Sequence, residues 1–217
     1  MKVAAIGDNC IDLYEKLNKY YATGNAVDFA VNMKKLGIDT AVISVTGDDE
    51  YGKLMIQELE KQQIDLSHFR VEKGKTAVSY MDLDGLERIY LDYVEGVMEN
   101  VKFTQEDIDF AASCDLVHSA FWGNAHMHLK EIHDKGARIC FDFATEYQDP
   151  MVEEIAADIA DEDAPLVVEP EATAEPEEPT VLTPNVVFVQ LESFFNVHDL
   201  LEAEYSQNPI PVFSDLM

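Results

Sequence analysis

The chain has 217 residues, 47% of them apolar and 27% charged, with 43 acidic side chains against 15 basic ones and a formal net charge of −28. That apolar share supports a sizeable core and excludes a wholly disordered chain. No apolar run is long enough for a membrane span, no leader pattern is visible, and the acidic balance argues against nucleic acid or anionic lipid as a partner.

In chain order, Val3–Ile6 is a short apolar run that stops at Gly7, the pattern of a buried strand. Asn25–Leu36 places Ala26, Val27, Phe29, Ala30, Met33 and Leu36 at helical spacing and stops at Gly37. Thr40–Val45 is a β-branched strand, and a helix follows over Tyr51–Lys61. Thr76–Asp82 and Arg88–Tyr93 alternate around Asp84-Gly85 and predict a hairpin. Thr104 with Asp107 caps a helix through Ala112. Leu116–His118 and Ala137–Phe143 read as strands on either side of a helix over Ala125–Lys135. Strands alternating with helices predict an α/β fold: a parallel sheet with helices on both faces, and the hairpin standing apart as a lid near residues 71–94.

The composition then changes abruptly. All ten glycines lie at or before Gly136, all eight prolines at or after Pro150, and the last lysine or arginine is Arg138. Residues 151–217 hold 16 acids and no lysine or arginine. The expected division is a lobe over residues 1–150, an acidic Pro/Glu/Ala linker over 151–183 that opens with a possible short helix at 151–160, and a separate stub over 184–217. The linker holds too little apolar surface to offset its ordering entropy. Cys10, Cys114 and Cys140 are widely spaced and read as buried thiols of a reducing compartment.

Ligands of such sheets bind at the carboxyl ends of the strands. Gly7-Asp8-Asn9-Cys10-Ile11-Asp12 follows the first strand and places two carboxylates there. An ionised carboxylate accepts from two neighbouring sugar hydroxyls at once. The competing reading, which the residues alone favour, is a turn whose Asp8 and Asn9 satisfy backbone donors. Gly24-Asn25 opens a helix where free amides face whatever binds, although a glycine there also serves the turn alone. His126, His128 and His133 do not share a helical face and read as surface histidines.

Six motifs follow in order: Gly7-Asp8-Asn9-Cys10-x-Asp12, Gly24-Asn25-Ala26-Val27, Gly47-Asp48-Asp49-x-x-Gly52, Asp92-Tyr93-x-Glu95-Gly96-Val97, Val117-His118-x-Ala120-x-Trp122-Gly123 and Phe141-Asp142-Phe143. Together they resemble the ribokinase-type (PfkB) carbohydrate kinases from about residue 3 to residue 150. The resemblance implies a ribokinase-like sugar-binding lobe with a β-hairpin lid, working in the cytoplasm on fructoselysine or a related sugar. It implies ATP and Mg²⁺ as cofactors, phosphoryl transfer to a sugar hydroxyl, and a homodimer through the lid. By position it gives Asp12 to the sugar hydroxyls, with Asp8 beside it. Gly24 and Asn25 fall on the segment packing against the sugar, and Arg88, Asp92 and Tyr93 on the lid. His118 and Trp122 fall on a strand end facing the same site. Thr23 stands where the family has a second glycine, and Asp28 replaces a common asparagine.

The family's catalytic Gly-Ala-Gly-Asp motif does not occur in these 217 residues, so no catalytic residue is assigned and the chain alone is expected to be inactive. Its amides would form an anion hole and its aspartate would take the proton of the attacking hydroxyl. After Thr183-Pro184-Asn185, the run Val186–Leu191 and Glu192-Ser193-Phe194-Phe195 resemble the start of a lipoteichoic acid synthase-like sulfatase domain. There Glu192 would be a metal ligand, but one carboxylate holds no catalytic ion.

Overall fold

A computed structural model of the protein describes residues 1–143 except Leu86, together with Met151, Glu154 and Ile155. The linker beyond residue 155, the 184–217 stub and Glu192 lie outside the described residues.

Five parallel strands make the main sheet: β1 (Lys2–Ile6), β4 (Asp39–Gly47), β5 (Phe69–Glu72), β8 (Leu116–Ala120) and β9 (Arg138–Asp142), in the order β5-β4-β1-β8-β9. β1 shows why it is a two-faced sheet. Val3 and Ala5 pack with α1 (Asn25–Lys35) and α2 (Glu50–Lys61), while Ala4 and Ile6 pack with α3 (Gln105–Ala112) and α4 (Leu129–Asp134). Alternate residues of a strand face opposite ways, so a strand covered by helices on both sides must be apolar throughout. Ile155 is buried in the α3/α4 layer, so packing of the lobe continues past residue 150.

Side-chain caps begin two of the helices, and the one on α3 is the cap the sequence predicts. Asp49 accepts from the Gly52 amide at 2.9 Å to start α2. Thr104 and Asp107 form a reciprocal capping box on α3. Asp107 also receives His68 at 2.9 Å and Arg70, tying α3 to β5.

The lid is larger than the predicted hairpin. β6 (Val78–Asp84) and β7 (Glu87–Val94) do pair antiparallel. They join β2 (Cys10–Tyr14) and β3 (Lys19–Thr23) in a four-stranded sheet of order β3-β2-β6-β7. A 3₁₀ turn at Glu15–Leu17 and left-handed Asn18 (φ 50°) reverse the chain between β2 and β3. The lid base is latched to α2: Asp49 accepts from the Thr76 hydroxyl at 2.6 Å and the Thr76 amide at 3.1 Å.

Candidate functional site

β1 connects to β4 on one side and has β8 on the other, so the connections diverge beyond the carboxyl ends of β1 and β8. Three segments meet there: Gly7-Asp8-Asn9 after β1, the start of α1, and Phe121-Trp122-Gly123 after β8. Glycine makes the approach possible. Gly24 has φ +113°, and a Cβ on it would lie 2.5 Å from the Asn9 Cα; one on Gly123 (φ +89°) would lie 2.4 Å from the Asp8 amide nitrogen. The Asp8-Asn9 turn is thus held between two glycines from distant parts of the chain.

Each side chain of that turn has a structural partner. The Asn9 amide donates at 2.7 Å to both the Ser44 hydroxyl and the Val45 carbonyl, fixing the turn to β4. Asp8 accepts from the Asn25 amide at 3.0 Å and so caps α1 from another segment. Asp8 thus satisfies a backbone donor, as the turn reading expects, and it lies at the strand ends. Its other carboxylate oxygen is enclosed without a hydrogen-bond partner. Burial pushes the Asp8 carboxyl up to about 6 against three backbone hydrogen bonds that lower it.

Asn25 is the hub beneath. Its side-chain NH₂ donates to Asp142 at 2.6 Å, so its oxygen faces His118 Nε2, 2.5 Å away, which donates. His118 stacks on Phe29 with ring centroids 3.9 Å apart, and burial pushes it down to about 3. It is therefore a neutral imidazole that positions Asn25, with no proton to exchange near neutrality.

The lid contributes from above. Cross-strand pairing sets Asp12 beside Tyr21 and Ser79, and Ser79 beside Tyr93, so these four share a face. Arg88 reaches this face, its guanidinium 4.0 Å from the Asp12 carboxylate. Burial raises the Asp12 carboxyl, an effect that Arg88 partly offsets. Tyr93 packs down onto the core, and burial drives its hydroxyl well above its ordinary range.

Asp92 pairs with Tyr80 and Tyr90 with Met81, which leaves Leu91 as a bulge and turns Asp92 to the opposite face. The structure thus brings together Asp8, Asp12, Gly24, Asn25, Arg88, Tyr93 and His118, and sets Asp92 apart. Trp122 follows β8 nearby and is half-exposed.

Three neighbours were not assigned to the site from the sequence: Tyr21, Asp28 and Asp142. Asp28, in the first turn of α1, accepts from the Thr23 hydroxyl at 2.7 Å; burial, together with Asp12 and Asp8, pushes its carboxyl up to about 6. Only the β2–β3 pairing brings Tyr21 to this spot, whereas the Phe-Asp-Phe motif at a strand end was a visible signal for Asp142.

The model of the pfkB family carbohydrate kinases matches residues 2–160. The chain belongs to that family. It is 38% identical over 149 residues to the fructoselysine 6-kinase of Escherichia coli, covering 69% of this chain and 57% of the relative. Against a fructosamine kinase of Bacillus subtilis it is 26% identical over 159 residues, covering 71% and 56%. The chain therefore spans a little over half the length of these curated relatives. A sugar kinase from Pyrococcus horikoshii in complex with ATP superposes with a TM-score of 0.55 at 20% identity, covering 72% of this chain and 58% of that one. Arabidopsis thaliana ribokinase gives 0.57 at 16%, covering 66% and 53%. These structures carry the same ribokinase-like fold.

Among the described residues no group of three His, Cys, Asp or Glu is placed to hold a metal ion, and the carboxylates of Asp8, Asp12 and Asp28 lie together at the site. No helix among them is long and apolar enough to cross a membrane.

Proposed function

We propose that this chain supplies the sugar-binding lobe of a kinase acting on fructosamine-type sugars such as fructoselysine. The observation that carries the reading is the meeting of Asp12, Gly24, Asn25 and Arg88 at the divergence of β1 and β8 under a four-stranded lid. Asp12 accepts from two adjacent hydroxyls, the α1 start supplies polar groups fixed by Asp8, His118 and Asp142, and the lid excludes water. The 38% identity to a fructoselysine 6-kinase supports the substrate class.

Phosphoryl transfer depends on positioning and charge stabilisation. The Gly-Ala-Gly-Asp motif is not in the sequence, so the chain alone binds sugar in the cytosol without turning over ATP. Productive binding of ATP and Mg²⁺ then needs residues beyond those described. Exposed Leu83, Tyr90 and Leu91 on the lid favour a second copy as its cover.

Titration with fructoselysine, followed by Trp122 fluorescence and melting temperature, tests the sugar site. Saturable change in both is expected, and absence of either response overturns the reading. Light scattering checks the dimer, and a monomer at every concentration refutes it.

A further inference from the structure

We propose that Asp28 selects an amine-bearing sugar over a neutral one, holding the protonated amine with Asp12 beside the ring of Tyr21. The inference rests on the reading that this lobe binds a sugar.

A neutral sugar needs hydrogen-bond acceptors, and one carboxylate already accepts from two hydroxyls. The site has more anion than that task requires. Asp28 lies next to Asp12 and Asp8, and each of these neighbours makes its ionisation harder. Among the described residues neither Asp8 nor Asp28 forms an ion pair. The guanidinium of Arg88 stands 4.0 Å from Asp12 and also eases the ionisation of Asp28, so one cation is shared between these carboxylates, with Asp8 as a third beside them. Asp28 has the Thr23 hydroxyl as its partner at 2.7 Å, a hydrogen bond that needs no charge on the acceptor.

Two further observations point to a cation. One oxygen of Asp8, beside this group, is enclosed and lacks any hydrogen-bond partner. Tyr21 is 53% exposed, although it is paired directly with Asp12 on the inner face of the lid. Thr23, two residues on, shares that face, so the Thr23–Asp28 bond brings Asp28 to the Tyr21 side of the site. An ammonium between carboxylates and an aromatic face gains from both, by Coulomb attraction in a half-buried site and by the ring quadrupole. A hydroxyl in the same place gains neither.

Two sugars that differ only at this group make the test: 1-amino-1-deoxy-D-fructose and D-fructose, titrated by calorimetry into the full chain at low salt and neutral pH. The amine is expected to bind at least about tenfold more tightly than the hydroxyl. In Asp28→Asn, which keeps the Thr23 hydrogen bond, that ratio should fall below about threefold; Asp28→Glu, which keeps the charge, should retain most of it. A melting curve no lower than that of the unmodified chain shows that Asp28→Asn is folded. An unchanged ratio in Asp28→Asn, or equal binding of both sugars by the unmodified chain, overturns the role of Asp28 and leaves the sugar lobe standing. If neither sugar binds, both readings fall.

Discussion

Replacing Asp28 by asparagine should make the lobe more stable at neutral pH. Burial raises the Asp28 carboxyl from 3.8 to about 6. An acid whose folded pKa exceeds its unfolded one is favoured at low pH, and its contribution is lost as pH rises from about 4 to 6. At 1.36 kcal/mol per unit, the shift corresponds to about 3 kcal/mol at pH 7.5, and about 2 after allowing for partial solvent screening. The amide keeps the bond from Thr23 and removes the repulsion from Asp12 and Asp8. The variant should therefore gain about 2 kcal/mol, or roughly 4–8 °C in melting temperature for a domain of this size. At pH 4, where the native aspartate is already protonated, the gain should shrink to a few tenths of a kcal/mol. Urea unfolding at the two pH values decides it. A gain of equal size at both, or a loss at pH 7.5, would refute the argument that a desolvated charge is being held there.

Gly24→Ala should cost about 3 kcal/mol, because the added methyl meets Asn9 at 2.5 Å with φ at +113°; an unchanged melting temperature would contradict that packing. Asp49→Ala removes the α2 cap and both bonds to Thr76, and should lower stability by about 2–4 kcal/mol. Although burial opposes it, hydrogen bonds from Thr76 and Gly52 hold the Asp49 carboxyl below its ordinary value, so this stabilisation is present above pH 4 and lost on further acidification. For His118, NMR should show a ring that stays neutral from pH 8 to pH 5, since burial pushes it down to about 3; a midpoint near 6.5 would remove it as the neutral donor to Asn25.

Much of the main sheet was legible because its determinants are local. Val3–Ile6 is apolar throughout, which only a strand covered on both faces requires, and Thr104 with Asp107 marks a helix start by chemistry confined to four residues. The lid was half-legible for the opposite reason. β2 and β3 are partly exposed and mix Asp12 and Lys19 with tyrosines; their reversal rests on a left-handed Asn18 with no glycine to signal it. The pairing of β2 with β6 joins residues more than sixty positions apart, which no short window sees. Strict alternation would also have put Arg88, Tyr90 and Asp92 on one face. The bulge at Leu91 hands the last place to Tyr93.

The same limit explains why Asp28 became visible only in three dimensions. In sequence it is one acid near the start of a helix, where a carboxylate is favoured by the helix dipole and calls for no further account. The fold changes its meaning by placing Asp8 and Asp12 beside it, with Tyr21 on the lid face that Asp12 shares, from a turn, a strand and a second strand that local pattern does not connect. Asparagine would keep the Thr23 bond and spare the lobe about 2 kcal/mol. A residue that weakens the fold while an uncharged near-isostere would strengthen it is expected where a site is shaped for a ligand. The stability gain of Asp28→Asn and its loss of preference for an amine should therefore appear together. A variant that is more stable and equally selective would separate the charge from function.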